Sequence, residues 1–551
     1  MRAAADSPGR SPSRAWLELM LLGLGCLLVV GPSTLLTPDL AVGHASRDLF
    51  DHLALLDHWS MTAPDWNLPS GGSLVPPDLF GMVFAAPVLA VASRATAYNV
   101  AVFCQLWAAS AAAWALGRRY GSGMVAGVVF GLSPYLMGQA LSGEAETLSA
   151  WPLPLWALLL SRDSVRSHAL AGVVGAIAAI GSWYHGAFLA MLTGFWSLVG
   201  LVRDKRPAAL VPSVVFAAVI SPFAWVYARV LNSDTQLFAG PQMRDYLEVH
   251  AASLSSMSAD VCAWAGAPPP GSLHIDGFGW VALGLAIWGA WRWSHDSARG
   301  WWLGVVGIGL VMSVGPVLHA CGAAVTGWTP YALLVDLPAF GRMRLPHRWT
   351  LVTTLGLAVL AAHGARRLPG VIPVFVFFEA LWFVGPVYQA TDVSPPAIVD
   401  RIEGPVLDLP PRTLGDDLRG RYLVWQAVHN QAVPYALLMQ GWSPELAREP
   451  LFIAAAAADA RSNLAERQGA ARQFRQGDFA QDVADWREDP RPDALEGAAL
   501  RLSALGLRQV VLHRDRLDPG SDLALMALLE AHLGDPAVVG DQALWELPHV
   551  E

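Results

Sequence analysis

The first residues that could do chemistry lie in RDLFDHLALLDHW, residues 47–59, shortly after an apolar run. Asp48, Asp51 and His52 are three and four positions apart, so on a helix they share one face. A surface helix can also show this spacing by chance. Next to apolar segments, however, a charged side chain is costly unless it has a role. We therefore predict Asp48 as a general base, with Asp51 or Glu144 as an assisting carboxylate and His52 at the substrate.

A second acidic pair lies in SPYLMGQALSGEAETLSAWPLPL, residues 133–155, in the turn between two apolar runs. It consists of Glu144 and Glu146. The alternative is structural: Ser142 caps the next helix, and the early acidic residues favour the positive end of its dipole. That alternative does not exclude function, because a capped and fixed carboxylate is also a well-placed base. We predict a catalytic role for Glu144 and substrate binding for Glu146.

Cationic side chains cluster in DLPAFGRMRLPHRWT, residues 336–350. A row of guanidinium groups suits a phosphate or diphosphate, through charge-assisted bidentate hydrogen bonds. The alternative is contact with lipid headgroups by snorkelling side chains. The predicted substrate-binding residues here are Arg342, Arg344, His347 and Arg348.

One further turn, GSWYHGAF at residues 181–188, lies between two apolar runs on the same side. Its Tyr184 and His185 could reach the same cavity as the charged clusters. Ordinary interfacial aromatic residues would show the same pattern. We add both residues to the predicted substrate-binding set.

The elements that must position these side chains are membrane helices. Only 15% of the 551 residues are charged and the mean hydropathy is +0.40, whereas a soluble chain has about 25% charged residues. Apolar runs recur at the length that crosses about 30 Å of hydrocarbon. The predicted spans are residues 16–33, 97–116, 122–140, 148–161, 168–185, 187–202, 208–231, 277–293, 301–317, 348–362 and 370–386.

The orientation follows from the arginine-rich short loops, which all fall on the side of the basic N-terminus. Cytoplasmic loops carry the excess of Lys and Arg, so that side is predicted to be cytoplasmic. Residues 78–93 are apolar enough to cross, but a crossing there would turn every later basic loop outward. We therefore predict an interfacial or re-entrant helix at 78–93. The first apolar run is predicted to be an uncleaved span, because the small-residue site near Ala45 is too far from it.

The C-terminal third differs from the rest. After Gln389 the apolar runs stop and acidic residues become frequent. Strand patterns at 404–410 and 507–513, a helix-forming stretch at 445–476 and a hairpin signal at Gly540-Asp541 predict a soluble α/β domain. We expect a polytopic α-helical membrane domain of about eleven spans at 1–389 and the α/β domain at 390–551. The net charge of −9 argues against a nucleic-acid partner.

Four cysteines are widely spaced, without a C-x-x-C motif that would indicate a zinc or redox site. Cys262 and Cys321 both fall on predicted outer loops. We hypothesise that they form a disulfide, which requires Cα atoms within about 7 Å.

The set of motifs resembles the GT-C superfamily of integral membrane glycosyltransferases. Residues 47–59 look like the acidic first-loop motif of that group, and GRRYGSGMVAGVVFGLSPYL (117–136) looks like its second-to-third-span segment. The SPYL turn followed by Gly-Glu, the stretch Arg344-Leu345-Pro346-His347-Arg348 and the strand VLDLP are similar to uncharacterised bacterial members. A Trp-Trp-Asp motif is missing from the C-terminal region, which argues against sequon-directed N-glycosylation.

The resemblance, together with the orientation predicted from the basic loops, predicts a bacterial inner-membrane enzyme with a cytoplasmic N-terminus and a periplasmic C-terminal domain. It would move a sugar from a polyprenyl-phosphate-linked donor to a glycan, lipid or protein acceptor. The alternative is a non-enzymatic transporter or handling protein for a lipid-linked glycan intermediate. A transporter should show an inverted repeat and polar residues at mid-membrane, and neither is clear in this sequence. Cofactors are undecided, because a divalent metal remains an open option.

Overall fold

The computed structural model describes residues 12–45, 49–56, 62–63, 68, 72–73, 78–232, 258–264, 277–294, 297–335, 343, 345–384, 390–410, 418–436, 441–458 and 477–549. The chain divides into two compact units. The first comprises Met1–Gly43, Pro77–Ala228 and His250–Thr391, and the second comprises His44–Pro76, Arg229–Val249 and Asp392–Glu551. The last boundary between the two units falls after Thr391, close to the predicted domain boundary between residues 389 and 390. Part of the first predicted outer loop, however, belongs to the second unit.

Helices dominate the described residues. Numbered along the chain, they are α1 (Pro12–Val30), α2 (Pro32–Leu36), α3 (Leu49–Leu55), α4 (Leu79–Leu89), α5 (Arg94–Gly117), α6 (Gly123–Gly131), α7 (Pro134–Ser142), α8 (Ala145–Leu148), α9 (Pro152–Leu160), α10 (Val165–Gly181), α11 (Trp183–Val202), α12 (Val211–Asn232), α13 (Val261–Trp264), α14 (Trp280–Arg292), α15 (Ser297–Ser313), α16 (Thr350–Gly364), α17 (Ile372–Val384), α18 (Leu418–His429), α19 (Pro444–Ala447), α20 (Pro450–Ala458), α21 (Gly477–Glu488), α22 (Ala498–Ala504) and α23 (Pro519–Leu533).

A helix lies at each of the eleven predicted spans, and the membrane character of the chain is clear. Within the described residues, five helical segments are long and apolar enough to cross a membrane: Pro12–Val30, Arg94–Gly117, Gly123–Ser142, Trp183–Val202 and Pro207–Val226. Shorter apolar helices are α4, α10 and α17. The total of eleven spans therefore stays a prediction.

Two of the apolar helices are short. Helix α9 has nine residues and begins at Pro152, because proline is favoured in the first turn of a helix, where its missing N–H costs no hydrogen bond. It is thus shorter than the predicted span 148–161. Helix α4 has eleven residues and rises about 16 Å, roughly half of the hydrocarbon thickness. Because α9 at a predicted span is shorter still, the expectation that residues 78–93 do not cross stays a prediction.

A buried polar residue, Asn99, joins α5 to the segment that follows α1. The side chain of Asn99 on α5 accepts a hydrogen bond from the backbone of Val42 at 2.8 Å. It donates to the carbonyls of Thr34 at 3.0 Å and Leu40 at 2.7 Å. These bonds hold the segment that follows α1 against α5.

Glu379 is the charged residue that the sequence places within the last predicted span. Its carboxylate accepts the backbone N–H of Val281 at 2.8 Å, in the first turn of α14. A carboxylate there satisfies an N–H group without an intrahelical partner and favours the positive end of the helix dipole. Glu379 therefore caps a neighbouring helix.

After α15 the first unit forms a β-hairpin tied by a disulfide. Strands β4 (Leu318–Ala320) and β5 (Ala323–Thr326) pair antiparallel. Cys321 at their turn is bonded to Cys262, with Cα atoms 5.2 Å apart, which confirms the hypothesised pairing. Asp260 accepts the N–H groups of Cys262, Cys321 and Gly322 at 2.7–2.9 Å. Burial acts to raise the pKa of Asp260, but these N–H groups outweigh it and hold the pKa below its ordinary value.

A four-stranded sheet lies in the second unit, in the order β11 (Ala537–Val539), β12 (Gln542–Glu546), β10 (Gln509–His513), β7 (Val406–Leu409). β10 is antiparallel to β12 and parallel to β7. These strands lie at the positions that the sequence pattern predicts. The predicted helical stretch 445–476 contains α19 and α20, and its remainder from residue 459 lies outside the described residues.

Further short strands complete the described elements. They are β1 (Leu40–Val42), β2 (Thr62–Ala63), β3 (Gly72–Ser73), β6 (Ala390–Asp392), β8 (Tyr435–Ala436) and β9 (Gly441–Trp442), paired as β1–β6, β2–β3 and β8–β9.

Candidate functional site

The candidate site of the first unit is a buried ion cluster. The Nη2 atom of Arg348 lies 2.8 Å from Oε2 of Glu144 and 2.9 Å from Oε1 of Glu146. The side chains are 4%, 8% and 15% exposed, respectively. The structure thus joins the predicted acidic pair to the predicted cationic segment, across 204 residues of sequence.

Helix ends place both halves of the cluster. Helix α7 ends at Ser142, and Gly143 follows with φ 75°. This left-handed conformation is easy for glycine and turns the chain so that Glu144 precedes α8. The alternative in which Ser142 caps the next helix is wrong, since Ser142 is the last residue of α7 and α8 has no side-chain cap.

Arg348 lies in a 3₁₀ turn, Pro346–Trp349, directly before α16. Pro346 occupies the first position of that turn, where its missing N–H costs nothing. The turn thereby holds Arg348 just before the N-terminal end of α16, a helix whose residues are all buried.

Aromatic and imidazole rings surround the guanidinium. Its Cζ lies 4.5 Å from the ring centroid of Tyr184, a cation–π contact. His185 and His347 are each 1% exposed. Burial, and then the charge of Arg348, lower the pKa of His347 to about 3. His347 is therefore a neutral imidazole at physiological pH.

A second buried polar network lies close by, and the sequence patterns did not single it out. Asp78 caps α4 through the N–H of Gly81 at 2.8 Å. Its carboxylate also accepts from Ser149 at 3.1 Å and from Gln105 at 3.3 Å. The backbone of Ser149 contacts the ring of His185. An acidic residue directly before an apolar helix is a cap signal, but its other partners are far apart in the sequence.

The predicted first-loop residues that the structure describes belong to the second unit. Asp51 and His52 lie on α3, where His52 is buried and Asp51 is half-buried. Helix α3 packs against α18. A Cβ atom added to Gly420 would clash with Oδ1 of Asp51 and lie 2.9 Å from Cβ of Phe50. The guanidinium of Arg421 lies 3.9 Å from the Phe50 ring centroid.

Three predicted site residues, Asp48, Arg342 and Arg344, lie outside the described residues. In the part of the chain that is described, no group of three or more His, Cys, Asp or Glu side chains is placed to hold a metal ion.

The two carboxylates of the cluster are buried and held in place by one guanidinium. A fixed carboxylate of this kind is the group that proton abstraction requires.

No protein-family model matches the chain, and no curated protein matches it. Solved structures do. The arabinofuranosyltransferase AftD from Mycobacteria covers 100% of this chain with a TM-score of 0.61 and 14% identity. Its R1389S mutant, in one class, covers 99% with a TM-score of 0.57 and 14% identity. ArnT from Cupriavidus metallidurans, bound to undecaprenyl phosphate, covers 98% with a TM-score of 0.43 and 13% identity.

The chain spans 41% of the length of the AftD chain that it matches. At 14% identity, the agreement with AftD concerns the fold. It confirms the resemblance drawn from the sequence motifs. The chain has the fold of the GT-C superfamily of membrane glycosyltransferases, to which AftD belongs.

Proposed function

We propose that the chain is a membrane glycosyltransferase that moves a sugar from a polyprenyl-phosphate-linked donor to an acceptor at the periplasmic face of a bacterial inner membrane. The observation that carries the proposal is the fold that the whole chain shares with an arabinofuranosyltransferase. A fold alone does not specify a reaction. The buried cluster of Arg348 with Glu144 and Glu146 supplies the side chains for this one.

The reaction needs a base and a stabiliser of negative charge. A carboxylate accepts the proton of the acceptor hydroxyl, whose oxygen forms a bond to the anomeric carbon of the sugar. The bond from that carbon to the phosphate oxygen breaks, and its electron pair leaves with the lipid phosphate. Asp48 is our proposed base, with Asp51 or Glu144 assisting. Cationic groups stabilise the charge that develops on the phosphate.

The contacts of Arg348 refine its proposed role. Because its guanidinium already binds two glutamates, it fixes the orientation of those carboxylates and partly offsets their charge. We therefore assign the binding of the donor phosphate to Arg342 and Arg344, which belong to the same short segment as Arg348. His185, His347 and Tyr184 would line the sugar side of the site.

The proposed topology has eleven spans, a cytoplasmic N-terminus and a periplasmic C-terminal α/β domain. The Cys262–Cys321 disulfide supports it, because disulfides persist in oxidising compartments such as the bacterial periplasm. In the proposed scheme both cysteines lie on the side opposite to the basic loops. Reporter fusions after Arg119 and after Glu551 test the scheme, and a periplasmic signal at Arg119 would overturn it.

The proposed function is tested by measuring sugar transfer from a lipid-linked donor. The purified full chain is placed in lipid nanodiscs with radiolabelled polyprenyl-phosphate arabinose, mannose or glucose, and a membrane extract supplies acceptors. We expect label to move from the lipid to the acceptor fraction. Asp48→Asn should abolish the transfer without changing the yield of folded protein. Full activity of Asp48→Asn would move the base to Asp51 or Glu144, whereas no transfer by the wild type from any of the donors would oppose the proposal.

A further inference from the structure

We propose that the segment from Leu318 to Val335, which we name the stapled hairpin, is a membrane anchor that inserts its apolar side chains into the lipid headgroup region beside the candidate site. Its partner is the bilayer surface itself. The segment comprises β4, β5 and the residues that follow them.

The first observation is the exposure of large apolar side chains. Trp328 is 95% exposed, Leu333 81% and Val325 59%. Single exposed apolar residues are normal, but here three fall within nine positions of one short segment. The sequence from Val314 to Val335 contains no Asp, Glu, Lys or Arg. A surface that must face water usually carries such charges.

The second observation is the place of the segment in the chain. It follows α15, whose Leu303 and Val311 are each 41% exposed, as expected of a helix surrounded by lipid. Helix α15 ends at Ser313, so the hairpin starts within a few residues of that helix end. Tryptophan is enriched at this level of a membrane, where its ring is apolar and its N–H remains hydrated.

The third observation is that the hairpin is held rigidly from both ends. The disulfide and the hydrogen bonds of Asp260 fix its turn. At the other end, the hydroxyl of Thr329 donates to the carbonyl of Gly315 at 2.7 Å. A rigid support keeps the exposed apolar side chains from collapsing onto the protein. Because the backbone of the hairpin is already ordered, its insertion into lipid needs no further ordering of the backbone.

The hairpin also touches the candidate site. Tyr331 is fully buried, and its hydroxyl donates to the carbonyl of Met343 at 3.4 Å. It lies near Tyr184, and Tyr184 lies against Arg348. Two residues separate the exposed Trp328 from Tyr331. The anchor would therefore set the depth of the site relative to the headgroups.

The test measures depth in the membrane. In a Cys104→Ser background, Trp328→Cys is labelled with an environment-sensitive fluorophore and the full chain is placed in nanodiscs of phosphatidylglycerol and phosphatidylethanolamine. A fraction of the lipid carries a nitroxide near the top of its acyl chain. We expect the label to lose about half of its emission, because interfacial side chains lie about 5–10 Å into the headgroup boundary.

Two matched positions calibrate the result. Trp291→Cys on α14, 72% exposed, should be quenched at least as strongly. Leu523→Cys on α23, 69% exposed, should keep its emission. A Trp328 label that behaves like the Leu523 label overturns the proposal. So does a label shielded from both the nitroxide lipid and aqueous iodide, since that result would indicate a protein partner. Leu333→Cys repeats the measurement if Trp328→Cys does not fold.

Discussion

Removal of the Arg348 guanidinium is the sharpest test of the buried cluster. Arg348→Met replaces the aliphatic stem of the arginine by an unbranched apolar side chain. It leaves Glu144 and Glu146 without the cation that they share. Because the three side chains are at most 15% exposed, water cannot replace the lost contacts. We expect the protein to lose stability and transfer activity together.

The magnitude follows from the geometry. Removing one partner of a buried ion pair costs about 3–5 kcal/mol, because the remaining charge stays buried without compensation. The variant also loses the contact with Tyr184, which is worth about 0.5–2 kcal/mol. Since these losses overlap, we expect the free energy of unfolding to fall by about 3–5 kcal/mol. It is measured by titrating the purified protein with a denaturing detergent in mixed micelles.

Two comparisons separate this result from general damage. Arg206→Met removes an ion pair with Asp163 at 3.6 Å whose side chains are 57% and 69% exposed, so it should cost less than about 1 kcal/mol. The triple variant Arg348→Met, Glu144→Gln, Glu146→Gln buries no unpaired charge and should recover most of the lost stability. It should remain inactive in sugar transfer. An Arg348→Met protein as stable as the wild type would refute the buried pairing, and an active triple variant would show that the cluster is only structural.

Three further predictions concern the scaffold. Asn99→Ala should lower the free energy of unfolding by about 2–4 kcal/mol, because it removes the partner of three backbone groups, two of them at buried contacts; an unchanged detergent titration would contradict it. Gly420→Ala should cost about 1–3 kcal/mol through the clash with Asp51 and speed proteolysis of the second unit, whereas Gly370→Ala, with open space around it, should be neutral. Cys262→Ser should cost about 2–4 kcal/mol, and mass spectrometry of the unreduced wild type should find the peptide of Cys262 joined to that of Cys321.

Patterns that act locally could be read from the sequence. The apolar runs predict helices at every position where a span was expected, because the period and the length of a membrane helix are set by the backbone and the bilayer. The strands at 404–410 and 507–513 follow from short β-branched runs. The cysteine pairing needed one further inference, that both residues fall on predicted outer loops.

Long-range pairing could not be read in this way. Glu144 and Arg348 each had a sufficient local explanation, a helix start for one and a phosphate site for the other. Their contact depends on how the turn after α7 meets the turn before α16, which no periodicity encodes. The partners of Asp78 and Asn99 were missed for the same reason. A single polar residue inside an apolar helix, such as Asn99, is nevertheless a signal, because its burial without hydrogen bonds would be costly.

The position of the cluster at helix ends has a physical reason. Backbone that is not helical is tolerated at membrane depth only where it is buried in protein or lines a cavity. The segments that carry Glu144 and Arg348 break from helix, at Gly143 and at the turn that starts with Pro346, and both are enclosed by neighbouring helices. Each break directs a charged side chain inward while its backbone stays shielded from lipid. The proposed reaction with a lipid-linked phosphate at the bilayer surface needs this combination, because the charges must act in a low dielectric without contact with the acyl chains.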